Sequence, residues 1–372
     1  MAGDVPGRHL AGVPVGPDRG ILMPLVRRAQ RIIRRLRPEL WLVEGSEATS
    51  EQPLSVLCAS VGTYLLDLAF GDSYRKHHVG KTWLWNLPRA VREKGQGCAL
   101  ALIGVRDPYL RLVNLTNSFV IPAWVRGEVD LPLGSAVLNT SSVKSDIRRI
   151  RKSRLQFSVT RDSRHFHEFY HRMYVPYITE AHGRSAFIWP YDAMKGEFEN
   201  CELLLVKKEG RPIAGILITY DRPTPRLWSL GVRDADRRHV QEGAVTALFY
   251  FSFMHLEKSG YRLANVGLTR PFLDDGVLRY KKKWGVRIVG TSTDWLVLKL
   301  LTATPGARGF MRSHPFMFRS GGDLSGAIFV DSARTYSPEE LERLKLRHSI
   351  PGLAKLRLYR LRDTRAVEMD AL

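Results

Sequence analysis

The sequence predicts an α/β protein in which mixed sheets are flanked by helices. Three observations carry this expectation. Over 201–298 the apolar runs come in the order hairpin, strand, long helix, strand. Over 41–125 short apolar strands alternate with helical patterns, so the first 140 residues read as an α/β domain in their own right. Between these halves, GEVDLPLGS (127–135) is the best candidate for a boundary.

Composition bounds what such a chain can be. At 372 residues, with 44% hydrophobic and 25% charged content, it has the length for two domains and the balance of a soluble globular protein. No apolar run approaches the roughly 18–20 residues of a membrane-spanning helix. The first twenty residues lack the apolar core of a signal peptide, and the expected location is the cytoplasm. Cys58, Cys98 and Cys201 are far apart and show no CxxC or Cys/His spacing, which argues against a disulfide framework and a zinc site; no metal is expected. The formal charge of +20 favours anionic partners such as RNA, a membrane surface or phosphate-bearing molecules. Solvated surface arginines account for the same number.

Residues 1–20 read as a flexible Gly/Pro-rich tail. Leu25, Ala29, Ile32, Ile33 and Leu36 recur at helical spacing with Arg27, Arg28, Arg31, Arg34 and Arg35 on the other side, and Pro38 stops the run. This basic helix over 25–36 either packs its apolar stripe on the domain or touches an anionic membrane. Strands follow at 41–45, 98–105, 109–115 and 118–125, with helices at 60–70 and 83–95. The second half opens with a basic helix from Ser145, the strand QFSVT, and a helical run around Phe166 and Tyr174. The hairpin CELLLVKKEGRPIAGILITYD, the strand RLWSLGV (226–232) and a helix over 241–260 with Gly260 as its stop come next. YRLANVGL (261–268) is a strand, RYKKKWG (279–285) a basic turn, and 286–298 a last strand. In SPEELERLK, Ser337, Pro338 and Glu340 form a capping box. The expected divisions are a tail over 1–20, an α/β domain over 21–135, a catalytic domain over 136–304 and an extension over 305–372.

The stretch from Leu203 to Gly285 resembles GNAT acyltransferases: LLLVKKEGRPIAGILITY as the hairpin, LWSLGV as the fourth strand, and RDADRRHVQEGAVTALFYF as the donor loop and helix. SDIRRIRKSRLQFSV and GYRLANVGLTRPFLDDGVLRYKKKWG are similar to segments of the FemAB-like branch, and the whole resemblance covers about 145–290. It implies a GNAT-like fold, two such units in tandem, and transfer of an acyl group from an acyl-CoA-type donor to a small-molecule or peptide amine. An aminoacyl-tRNA donor, with tRNA as partner, and a non-catalytic binding module stand as alternatives. In the donor loop, backbone N–H groups at Gly243 and Ala244 would meet the pyrophosphate, with Arg237, Arg238 and His239 adding donors. Glu242 departs from the family's loop pattern and would repel that group.

Acyl transfer needs a donor anchor, hydrogen bonds to the developing oxyanion, a proton route and an acceptor site. There is no GxSxG elbow and no Cys with a His partner nearby, so positioning rather than a nucleophile is expected. The resemblance implies that the fourth strand splays from its neighbour and frees a backbone N–H between Leu230 and Val232 for the oxyanion. Asp274 and Asp275 are proton acceptors or a solvated turn. Tyr250 is an acid by family likeness or a packed core residue, and His182 either reaches the cleft or is merely exposed. Lys281, Lys282 and Lys283 contact donor or acceptor phosphate, or form a solvated turn; Arg148, Arg149, Arg151 and Lys152 extend the positive field.

Overall fold

The computed structural model describes residues 30, 32–183, 186–331, 334–362 and 365–368. Its first sheet takes β1 (Glu39–Ser46), β2 (Pro53–Ala59), β3 (Tyr74–Lys81), β4 (Leu100–Arg106) and β5 (Ser118–Pro122). The second takes β6 (Val125–Asp130), β7 (Gln156–Thr160), β8 (Cys201–Lys208), β9 (Arg211–Thr219), β10 (Arg226–Val232), β11 (Leu263–Thr269) and β12 (Arg287–Thr291). β13 (Asp294–Leu300) returns to the first sheet. A third sheet holds β14 (Phe316–Ser320), β15 (Asp323–Val330), β16 (Lys355–Arg362) and β17 (Arg365–Glu368).

The strand orders are β3-β1-β2-β4-β13-β5 and β12-β6-β11-β10-β9-β8-β7. They carry one pattern twice. β2 lies parallel to β4, followed by antiparallel β13 and β5; β10 lies parallel to β11, followed by antiparallel β6 and β12. In each sheet the edge strand, β5 or β12, leads directly into the strand that crosses to the other sheet. Two units of like topology therefore stand in tandem and exchange one strand each.

This exchange revises several expectations. The segment 127–135, read as a boundary, is up to Asp130 the strand β6, paired with β11 from Leu263↔Asp130 to Thr269↔Val125. The runs 118–125 and 286–298, each read as one strand, are each divided between two sheets. Asp107–Leu110 is a helical turn with Pro108 in its first positions, so no strand forms at 109–115. Pro88 likewise opens the helix Leu87–Lys94 instead of interrupting it. RYKKKWG is no mere turn: Asp275 caps a helix, Gly276–Lys282, by accepting from Val277 and Leu278 N–H at 3.0 Å each. The capping box at Ser337 and Glu340 forms as read. The tail 1–20 lies outside the described residues; of the helix expected over 25–36, Gln30 and Ile32–Leu36 are described and helical.

The helix Ala244–Lys258 is apolar on nearly every side and packs between the second sheet and Trp284. On the opposite face of that sheet, Phe166, Phe169, Met173 and Tyr174 pack with Met194 and Phe198. The third sheet docks on the first through Phe119, whose ring meets those of Phe316, Phe318, Phe329 and Tyr359 edge-on at 5.2–5.7 Å. It also grips the loop after β11: Leu273 N–H donates to Pro315 O and Met317 N–H to Pro271 O, both at 2.8 Å. No helix among the described residues is long and apolar enough to cross a membrane.

Candidate active site

β10 and β11 pair at a single position, Arg226↔Asn265, and then part. The cause is local. Asn265 Oδ1 accepts from Gly267 N–H at 2.8 Å, Gly267 sits at φ +76°, and the ladder from β11 to β6 slips between Asn265 and Leu268. β10 carries its own irregularity between Leu227 and Ser229. Beyond Arg226, β10 has a ladder partner only on its β9 side, so alternate backbone N–H groups over 227–232 are left without a strand partner.

A cavity of about 690 Å³ occupies the gap. Leu227, Trp228, Ser229 and Leu230 from β10 form one wall, and Val266, Gly267 and Leu268 from β11 another. Val245, Thr246 and Phe249 enter from the helix Ala244–Lys258, and Tyr177, Ile178 and Ala181 from the helix Val175–His182. Lys281 stands in the floor at 6% exposure. Its Nζ donates to Leu268 O at 2.9 Å and Thr269 Oγ1 at 3.0 Å, and burial pulls its pKa down to about 8. Asp146, Arg149 and Lys283 make the polar side: Lys283 Nζ lies 2.5 Å from Asp146 Oδ2 and 4.0 Å from the Tyr280 ring centroid, and Arg149 lies 3.7 Å from Asp146 Oδ1. The enclosed Tyr280 hydroxyl has no hydrogen bond of normal geometry, with Thr246 and the Trp284 indole beside it; burial raises its pKa.

The residues singled out in the sequence are only partly gathered here. Leu230, Asp275, Lys281 and Lys283 line the cavity. Val232 is fully buried in the core, and Tyr250 packs toward Trp284, off the cavity. Asp274 points to the C-terminal extension, with Arg347 at 3.2 Å and His348 at 3.0 Å, while Lys282 donates to Arg347 O at 2.7 Å. Gly243, at φ +96°, precedes the helix Ala244–Lys258, which no side chain caps. Arg237 pairs with Glu180 at 2.9 Å and Arg238 with Asp236 at 2.7 Å. Glu242 is no bare charge: Lys208 Nζ lies at 2.6 Å and His239 Nδ1 at 3.5 Å, and the Lys208 hydrogen bond foremost holds its pKa down. Glu242 lines, with Glu209, a depression of about 710 Å³ in which the cations Arg149, Lys152, Arg154, Lys208 and Arg238 outnumber the two carboxylates.

No protein-family model matches the sequence, and no curated protein matches it. Solved structures do. L-PGS from Bacillus licheniformis is similar at 14% identity and a TM-score of 0.36, over 65% of this chain and 76% of that one. FemX shares 11% identity with a TM-score of 0.37, over 66% and 80%. A GCN5-related N-acetyltransferase from Sphaerobacter thermophilus shares 13% identity with a TM-score of 0.29, over 66% and 73%.

Sequence reasoning missed Asp146, Thr246 and Tyr280. A helical reading of 276–282 would have set Lys281 apart from Lys282, since Leu278 and Lys281, three apart, share one buried face. Among the described residues no group of three or more His, Cys, Asp or Glu could hold a metal ion.

Proposed function

We propose that the chain is an acyltransferase that moves an acyl group from a phosphate-bearing, acyl-CoA-type donor to an amine. One observation carries this reading: the open β10/β11 pair borders a cavity of about 690 Å³ with a buried lysine in its floor. The donor's thioester lies along β10, its phosphates toward the uncapped N-terminus of the helix Ala244–Lys258 and the basic depression beyond Arg149. The amine nitrogen forms a bond to the carbonyl carbon and the C=O electron pair moves onto oxygen. A free β10 N–H near Leu230 and the Lys281 ammonium stabilise that oxyanion. The C=O then re-forms as the C–S bond breaks; the thiolate takes a proton from the Tyr280 phenol, kept protonated by burial, and the proton shed by the amine nitrogen returns to that phenolate. Asp275 is engaged as a helix cap and Asp274 lies outside, so neither is given the role of base.

The basic depression favours a second reading, an aminoacyl-tRNA donor whose backbone lies across it. Acetyl-coenzyme A at millimolar concentration is expected to raise the thermal midpoint of the full chain, as any ligand of the folded state does. No shift with acetyl-coenzyme A, together with tRNA binding that weakens by decades as salt rises, transfers the proposal to the second donor. Neither binding removes both.

A further inference from the structure

We infer that the acyl group this site takes is a hydrocarbon chain of medium length or longer, carried by the donor, rather than acetyl. The inference rests on the donor reading above and concerns the nature of the acyl group. The inner walls are apolar: Ile178, Ile216, Leu227, Leu230, Phe249 and Val266 all face the cavity. Its charged groups are Asp146, Arg149 and Lys283 on one side, Lys281 in the floor, and Asp275, whose carboxylate is engaged as a helix cap.

The rim is apolar as well, and exposed. Val240, Leu268 and Val277 line the cavity while 36%, 54% and 46% exposed. Trp228 extends the rim outward to Trp189 at 5.7 Å and on to Phe187 at 5.5 Å, the last 69% exposed. Exposed apolar side chains this concentrated mark a binding surface, since scattered ones would need no explanation. An acetyl group would leave most of the 690 Å³ to water, about twenty molecules at ~30 Å³ each, part of it against the apolar side chains of Ile178, Ile216, Leu227, Leu230, Phe249 and Val266. A hydrocarbon chain removes that water and covers the rim.

The assignment to the donor follows from Arg149, which lines both this cavity and the basic depression beside it. A molecule with phosphates at one end and an alkyl chain at the other spans the two spaces across that residue. An acyl thioester of a phosphate-bearing carrier has this form.

Isothermal titration of the full chain with acetyl-, butanoyl-, octanoyl- and dodecanoyl-coenzyme A tests the inference. Affinity is expected to rise roughly three- to fourfold per added methylene until the cavity is filled, then to level off. Val277→Ser and Phe187→Ser, both at exposed positions, should weaken dodecanoyl binding more than acetyl binding. Equal affinity for acetyl and dodecanoyl thioesters overturns the inference and leaves the donor reading intact. Chain-length dependence confined to a parallel series of alkylamines or lysophospholipids moves the chain to the acceptor and overturns the assignment. Failure of every acyl-coenzyme A to bind overturns the donor reading with it.

Discussion

The two units differ at the strand pair that matters most. In the first, β2 and β4 run parallel and pair at four consecutive positions, Val56↔Leu100 to Ala59↔Ile103; in the second, β10 and β11 pair once. Past Ala59 the first pair stays close: a Cβ at Gly104 would stand 2.1 Å from Ser60 O. The space at that place is about 260 Å³, against about 690 Å³ in the second unit. One arrangement of strands thus makes either a closed wall or a groove. The switch is small, an Asn265–Gly267 turn within β11, where β4 runs on without a slip. Among the described residues the first unit buries no lysine, whereas the second buries Lys281.

Removing that lysine should break the comparison most. Lys281→Met is expected to lower the transfer rate by roughly 10²–10³-fold with the fold retained, as for loss of one oxyanion donor. Steady-state kinetics beside a circular dichroism spectrum checks this, and a rate within twofold of the parent removes Lys281 from the chemistry. The same residue makes a pH prediction. Its folded pKa, about 8, lies below the ordinary lysine value, so the unfolded chain binds more protons and stability rises with pH between about 8 and 10.5. The expected gain over that window, up to about 3 kcal/mol, should be missing from Lys281→Met in denaturant titrations at the two pH values.

Two glycines sharpen the contrast at smaller scale. Gly104→Ala forces backbone against backbone in the closed pair and should cost about 2–3 kcal/mol of stability. Gly267→Ala places a side chain at φ +76° with its Cβ 3.2 Å from Leu227 O, costing about 1–2 kcal/mol. Only Gly267→Ala is expected to alter donor binding as well, since only its strand pair borders the large cavity. Unfolding and ligand titration of both variants separate the two cases.

Much of the second unit and one helix of the C-terminal extension were legible because their signals are local. The hairpin around KKEGRP, the apolar helix before Gly260 and the capping box at Ser337 each declare themselves within a few residues. The strand exchange was not legible, because an apolar run says that a strand is buried and not in which sheet. Thus 118–125 and 286–298 each look continuous although each divides between sheets. β3 went unread because YRKHHVGK is an exposed edge strand with no apolar alternation. The candidate site suffered most: Lys281, Lys282 and Lys283 are equivalent in sequence, and only a helix of known phase sends one to the floor, one to Arg347 and one to Asp146. Asp274 and Asp275, read as a pair, face different partners for the same reason.

That division makes Asp274 one of the ties between the groove and the C-terminal extension. Burial opposes its ionisation, but the hydrogen bond from His348 and the nearby Arg347 outweigh this and hold its pKa below the ordinary aspartate value. A carboxylate whose pKa is lowered by folding contributes stability above its unfolded value of about 3.9, and that contribution is lost as pH falls through the folded value. Asp274→Asn should therefore destabilise the chain at pH 7 by no more than about 1 kcal/mol, since solvent reaches the pair. The deficit should shrink as pH drops below about 4. Thermal midpoints of parent and variant measured at both pH values decide it; a deficit that stays constant would assign Asp274 a packing role, with the groove held by the backbone bonds of Leu273 and Met317 instead.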